Sequence, residues 1–294
     1  MKAIGIVARP DLVEARAALE GLVGWLRQRG VEVVIEEKSA AILPDPRKAG
    51  ARVVAGPEVA AAVDALVVLG GDGTFLSASS LLESKAIPVL GVNFGSLGFL
   101  TEVTLPELFP TLEGLLSGEF RSEERRMLRG VVERNGTQVL AGDVLNDLVI
   151  TKAAQSRIID LEVTIDGLFV SAFRADGLIV ATPTGSTAYN LAAGGPILHP
   201  ALPAAVLTPI CPHMLANRPL VIADQAAIEI RLLSGRNLDV MAAFDGQRVC
   251  DLVPGDRVSV TRSQRTLSLV KAPGRDYFGV LRTKLKWGES TRRT

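Results

Sequence analysis

Cysteine and histidine are nearly missing from this chain, with Cys211, Cys250, His199 and His213 the only ones among 294 residues. Four such residues scattered singly exclude a disulfide framework and a zinc site of recognisable spacing, and two thiols suit a reducing compartment, the cytoplasm. An excess of either charge is missing too: Lys plus Arg and Asp plus Glu balance at 32 each. No global field therefore favours nucleic acid or an anionic membrane, and any phosphate recognition must be local. No apolar run approaches a spanning length. The opening Met1–Pro10 has a short apolar run and one early basic residue, which reads as a first strand rather than a signal peptide. What the chain does have is 48% hydrophobic against 22% charged residues, the balance of an ordinary globular protein rather than a disordered one. Its length suits two domains.

The first half alternates. Ala3 to Ala8 is an apolar strand; Leu12, Leu19, Leu22, Val23 and Leu26 then recur at helical spacing until Gly30, and Val31 to Ile35 reads as the next strand. Ser39 to Val59, rich in Pro and Ala, is expected to be irregular. Asp64 to Leu69, a glycine turn, a helix from Phe75 to about Glu83 and the strand Ile87 to Val92 complete two βαβ-like units. That pattern predicts a parallel sheet covered by helices, with ligands at the carboxyl ends of its strands. After a helix over 105–119 and the charged 121–126, period-two alternation takes over, with Asn135-Gly136 and Asp166-Gly167 as hairpin signals. The later runs 227–233, 238–244, 257–261 and 266–270 continue it. The expected fold is an α/β N-terminal domain with a parallel sheet (1–125), a C-terminal all-β, sandwich-like domain (126–270), and a basic tail (271–294) that packs back on the protein.

Gly70-Gly71-Asp72-Gly73-Thr74 lies between strand and helix, where glycines let backbone N–H groups face an anion and the helix start adds a favourable dipole. Gly70, Gly71, Gly73 and Thr74 are thus candidates for binding a phosphate donor. Asp72 is the anomaly, because a carboxylate among phosphates must bind metal or sugar hydroxyls or accept a proton. The competing reading is a plain strand-to-helix turn with Asp72 or Thr74 as N-cap. Neither a Walker loop nor a dinucleotide fingerprint fits, for the lysine of the one and the glycine spacing of the other are absent. A second glycine loop, Gly91 to Leu100, offers Asn93 as donor and acceptor and Phe99 as a stacking face. Asn146-Asp147 suits a ribose diol or the end of a hairpin. The run Arg174 to Asn190 carries five hydroxyl side chains between Thr182 and Tyr189, able to bind a base or phosphate, or to do no more than satisfy a helix start. Phe244-Asp245-Gly246-Gln247 reads first as a β-turn.

Six segments in order resemble the NAD kinase family: Gly-Gly-Asp-Gly-Thr from Gly70, Gly91-x-Asn-x-Gly-x-Leu-Gly-Phe-Leu100, Asp176-Gly through Thr182-Pro-Thr-Gly-Ser-Thr-Ala-Tyr189, Arg218-Pro219, Asp245-Gly-Gln247, and Leu281-Arg-x-Lys-Leu-x-Trp-Gly288. Lipid kinases of the diacylglycerol and sphingosine type, and phosphofructokinases, look similar only around the glycine turn. The resemblance implies transfer of a phosphoryl group from ATP or polyphosphate to the adenosine-ribose 2′-hydroxyl of NAD or NADH, at a site between the domains. It implies Mg²⁺ or another divalent ion travelling with the donor, no direct protein ligands for it, and a cytoplasmic homo-oligomer, dimer or tetramer. By the same resemblance Asp72 is the catalytic carboxylate, and Gly73, Asn93, Phe99, Asn146, Asp147, Asp176, Thr187, Ala188 and Tyr189 bind NAD. Further contacts are expected from Arg174, Thr184, Ser186, Asn190, Asp245 and Gln247. One position departs: the family commonly has Asn-Glu where this chain has Asn146-Asp147, so ribose recognition there rests on the preserved charge across a longer gap. The alternatives are a lipid kinase sharing the turn and a non-catalytic dinucleotide-binding regulator.

Overall fold

A computed structural model describes residues 1–11, 13–82, 85–95, 97–153, 157–233 and 239–287. Leu12, Glu83, Ser96, Leu238 and Gly288, which belong to segments named above, lie outside the described residues. The chain divides into two compact units, Met1–Glu124 together with the chain from Leu267 onward, and Arg125–Thr266.

In the first unit the elements run β1 (Ala3–Ala8), α1 (Val13–Gln28), β2 (Glu32–Glu36), α2 (Glu37–Ala40), β3 (Arg52–Val54), α3 (Val59–Ala62), β4 (Ala65–Leu69), α4 (Asp72–Ser79), β5 (Pro88–Asn93), β6 (Val103–Thr104) and α5 (Leu108–Ser117). The strands β5, β4, β1, β2 and β3 pair in that order, all parallel. Every residue of β1 and β4 is buried, which is why both read as unbroken apolar runs: a parallel strand covered on two faces has no polar side. Leu19, Leu22, Val23 and Leu26 of α1 cover one face. That helix ends where Val31 N–H bonds Leu26 C=O and Gly30 N–H bonds Arg27 C=O, a Schellman closure.

Two expectations change here. The segment 39–59 is not irregular throughout: β3 pairs with β2, and at three residues it is too short to show periodicity. The helix after the glycine turn begins at Asp72, three residues early, with Gly71 as its N-cap in place of Asp72 or Thr74.

The second unit is antiparallel. It holds β7 (Ser122–Arg134), whose first residues belong to the first unit, then β8 (Thr137–Val144), β9 (Asp147–Lys152), β10 (Ile159–Ile165), β11 (Leu168–Ala175), β12 (Gly177–Ala181), α6 (Tyr189–Ala192), β13 (Ala204–Ile210), β14 (Leu220–Ala223), β15 (Ile228–Leu232), β16 (Val240–Phe244), β17 (Arg248–Leu252) and most of β18 (Arg257–Val270). One sheet has the order β14-β13-β12-β9-β16-β17; in the other β10 pairs β11 and β15, β15 pairs β18, and β7 pairs β8. Leu148, Ile150, Leu178 and Val180 of the first sheet share a core with Ile159, Leu161, Ile230 and Val258 of the second. Two sheets with interdigitated inner faces make the expected sandwich. Val149, Ile179 and Ala181, one residue out of phase, pack on the opposite face. Asn135-Gly136 and Asp166-Gly167 sit at the hairpin tips with positive φ at both positions, as two-residue turns require.

The last residues of β18, Leu267 to Val270, fall in the first unit, where Ser268 and Leu269 pair parallel to Pro88 and Val89. The chain closes with α7 (Tyr277–Leu285), capped by the Asp276 carboxylate on Gly279 N–H. No helix among the described residues is long and apolar enough to cross a membrane.

Candidate active site

Parallel neighbours β1, β4 and β5 all end at one sheet edge, and the loops that leave them meet there. Arg9 succeeds β1 and its N–H bonds Leu69 C=O; Gly70 succeeds β4 and its N–H bonds Val92 C=O. Together with Glu14, Asp72, Asn93, Gly98 and Lys284 they line a cavity of about 480 Å³. Asp72, in the first turn of α4, turns its carboxylate away from its own helix. Oδ2 accepts from Phe99 N–H at 2.9 Å; Oδ1 accepts from Leu100 N–H at 3.0 Å, Thr101 N–H at 3.1 Å and Thr101 Oγ1–H at 3.0 Å. Asn93 Nδ2 donates to Thr101 Oγ1 at 3.1 Å, and Asn93 Oδ1 takes Gly95 N–H at 2.7 Å. The second glycine loop is thereby bound to the first through one carboxylate. This close approach needs a glycine, since a Cβ on Gly98 would lie 2.1 Å from Asp72 Oδ1. Gly71 and Gly73 have open space where a Cβ would go, so the fold itself does not demand them.

Behind Thr101, the Glu102 carboxylate is 2% exposed and pairs with Lys271, itself buried. Glu123 approaches the same ammonium at 3.5 Å.

The second unit builds a separate cluster. Asp245, at the tip between β16 and β17, accepts three consecutive N–H groups, from Leu145 at 2.7 Å, Asn146 at 2.8 Å and Asp147 at 3.0 Å. On the other side Thr182 N–H bonds Asn146 C=O at 2.8 Å, and Thr182 Oγ1 bonds Leu145 C=O at 2.6 Å while accepting Gly185 N–H. A Cβ on Gly185 would stand 2.1 Å from Asn146 O. The turn carrying Asn146 and Asp147 is thus clamped from both sides. Burial pushes the Asp147 carboxyl up to about 7, and the charge of Asp245 adds to the effect. Asp245 is raised by burial as well, but its three N–H donors pull the other way, so Asp245 is the member of the pair that keeps the charge. At neutral pH Asp147 therefore titrates, in contrast to the fixed charge expected of it from sequence.

The rest of that cluster divides. Ser186 and Asn190 are fully buried and face inward: Ser186 Oγ bonds Pro183 and Leu198, and Asn190 joins Ser186, Pro196 and Thr208. Thr184 is buried, while Thr187 and Ala188 are partly exposed and Tyr189 presents its ring at 44% exposure. Asp176 lies 3.5 Å from Lys152 Nζ, and Arg174 and Gln247 point to the surface.

Residues 4–120 match the family model of the ATP-NAD kinase N-terminal domain, and residues 145–272 that of the ATP-NAD kinase C-terminal domain. Across 98% of its length the chain is 49% identical to an NAD kinase of Syntrophotalea carbinolica and 47% identical to one of Geobacter sulfurreducens, covering 100% of each. The chain belongs to the NAD kinase family. The enzyme is accordingly a phosphotransferase. Among solved structures it resembles yeast NADH kinase complexed with NADH (TM-score 0.92, 28% identity, 100% of this chain and 90% of that one). It also resembles an NAD kinase from Archaeoglobus fulgidus in complex with ATP (TM-score 0.71, 25% identity, 96% and 99%).

Within the enzyme, Gly70, Gly71, Asp72 and Asn93 come together in one cavity, and the Asp245 carboxylate joins the turn that carries Asn146 and Asp147. Gly73, Thr74 and Phe99 do not line the cavity; Phe99 contributes its N–H instead. Sequence reasoning missed Arg9, Thr101 and Lys284. Arg9 had a signal, since it comes directly after a strand parallel to the one that ends at the glycine turn. Thr101 had none, because neither spacing nor residue type ties it to Asp72; Lys284 had one, as the lysine of the Leu281-Arg-x-Lys-Leu-x-Trp-Gly288 segment that resembles the family, though no role was attached to it.

Proposed function

We propose that the enzyme transfers the γ-phosphoryl group of ATP to the adenosine-ribose 2′-hydroxyl of NAD. The observation that carries this reading is the Asp72 carboxylate, held by three N–H groups and a hydroxyl at the edge of the glycine-turn cavity. Oδ2 takes one of those four donors, which leaves it acceptor capacity for a sugar hydroxyl. Phosphoryl transfer runs through a loose transition state, so holding the hydroxyl in line with the donor matters more than stripping its proton early. The N–H groups at the start of α4 face donor phosphate, and Mg²⁺ enters with the donor as part of that substrate. Asn146 and Asp147 bind the dinucleotide ribose, while Thr187, Ala188 and the exposed Tyr189 take the adenosine.

The yeast relative bound to NADH and the archaeal relative bound to ATP support both substrate classes. The free thiols of Cys211 and Cys250 support a reducing cytoplasm. A homo-oligomer is supported by the apolar edge strand β11, where Leu168 and Phe169 are 73% and 65% exposed; sedimentation tests it. The decisive assay is NADP or NADPH formation from NAD or NADH, each with Mg²⁺ and ATP or polyphosphate, beside arms with a sphingoid base and diacylglycerol. Turnover of NAD with ATP is expected. Turnover of a lipid alone, or of nothing, refutes the reading.

A further inference from the structure

Phosphate-gripping loops of the Walker type set a lysine beside their glycines, and Gly70 to Thr74 contains none. The fold brings a cation from the other end of the chain. Lys284, in the last turn of α7, lines the same cavity as Gly70, Gly71 and Asp72. Its ammonium stands 5.8 Å from the centre of the Phe99 ring, the residue whose N–H holds Asp72 Oδ2. That separation is within cation–π range, and the carbonyl end of a helix favours a positive side chain. The other cation of the cavity is engaged: Arg9 makes two hydrogen bonds to Asp11, at 2.8 and 2.7 Å. Among the described residues no carboxylate forms an ion pair with Lys284.

We propose that Lys284 binds the polyphosphate chain of the phosphoryl donor, standing in for the lysine that the glycine turn lacks. The inference rests on the donor reading given above and adds to it the residue that discriminates donor from acceptor. An ammonium held by an aromatic face and a helix end, with no ion-pair partner among the described residues, is poised for an oxyanion that arrives with the substrate. The phosphates of ATP and of inorganic polyphosphate present the same chemistry, so both donors are predicted to feel it. Lys284 is exposed on the last turn of its helix, so its replacement leaves the fold in place.

Steady-state kinetics of the wild type, Lys284→Met and Lys284→Arg test the proposal, with ATP and polyphosphate each varied against NAD. In Lys284→Met the KM for either donor is expected to rise roughly tenfold or more, as for loss of a charge-assisted hydrogen bond, while the KM for NAD stays put. Lys284→Arg should recover much of the loss. An unchanged donor KM, a rise confined to NAD, or a rise for ATP without one for polyphosphate overturns it. Should the wild type form no NADP, the donor reading fails by itself and calorimetry with ATP judges the lysine. ATP binding by the wild type that weakens about tenfold in Lys284→Met supports the assignment; equal binding, or no binding to either protein, overturns it.

Discussion

Asp147→Asn should stabilise the enzyme in a way that depends on pH. The Asp147 carboxyl is 6% exposed, and burial with the nearby Asp245 charge lifts it to about 7, whereas in the unfolded chain it returns to roughly 4. Between those two values the folded state holds a proton that the unfolded state has released, so stability falls as pH rises through the window. Below pH 4 both states are protonated and nothing is lost; above pH 7 the full cost is present and constant. At about 1.4 kcal/mol per unit, three units amount to roughly 4 kcal/mol at pH 8 and to between 1 and 2 kcal/mol at pH 5. Asparagine has no charge to desolvate and keeps nearly the same shape. The stability difference between Asp147→Asn and the wild type should therefore shift in the variant's favour by roughly 2 to 3 kcal/mol from pH 5 to pH 8. Urea unfolding of both proteins at the two pH values measures it, and any pH-independent change in contacts cancels in the comparison. A difference that is the same at both pH values would refute the reasoning.

Three further substitutions probe separate parts of the structure. Asp72→Asn should keep the fold and lose about 10²- to 10⁴-fold in kcat; near-wild-type turnover in a well-folded protein removes Asp72 from the reaction. Gly185→Ala drives a Cβ to 2.1 Å from the Asn146 carbonyl oxygen, a backbone atom clamped in place, so it should cost roughly 1–3 kcal/mol and raise the KM for NAD, read by unfolding and kinetics. Lys271→Met strands the buried Glu102 carboxylate and should cost roughly 3–5 kcal/mol, most of it regained in Lys271→Met/Glu102→Gln; a double variant no more stable than the single one sinks the ion-pair argument.

How far the sequence foretold this structure depends on the range of the interaction. β1, β4 and β5 announced themselves as apolar runs because parallel strands are buried on both faces, and the hairpins did so through Asn-Gly and Asp-Gly. β3 did not, since three residues hold no period. The divisions between the units, after Glu124 and after Thr266, both fall inside strands, β7 and β18, where no linker of recognisable composition marks them in the sequence. At the site, Asp72 stood out as a charge among glycines. Its partners Phe99, Leu100 and Thr101 act mainly through backbone N–H groups, which every residue carries and no composition reveals. Asp245 read as a turn residue and is one, yet its carboxylate also organises the turn at Asn146 a hundred residues away in sequence.

The division of β18 sets an order of assembly during synthesis. Residues 125–266 form a contiguous unit that can close as soon as it leaves the ribosome, while the first unit, begun earlier, still lacks the end of β18 that pairs with β5. Glu102 meanwhile waits for Lys271, 169 residues downstream. The loop that holds Asp72 is thus completed only after the second unit has been synthesised, and a chain truncated before Lys271 would carry the glycine turn and the whole second unit without the buried cation on which that loop rests.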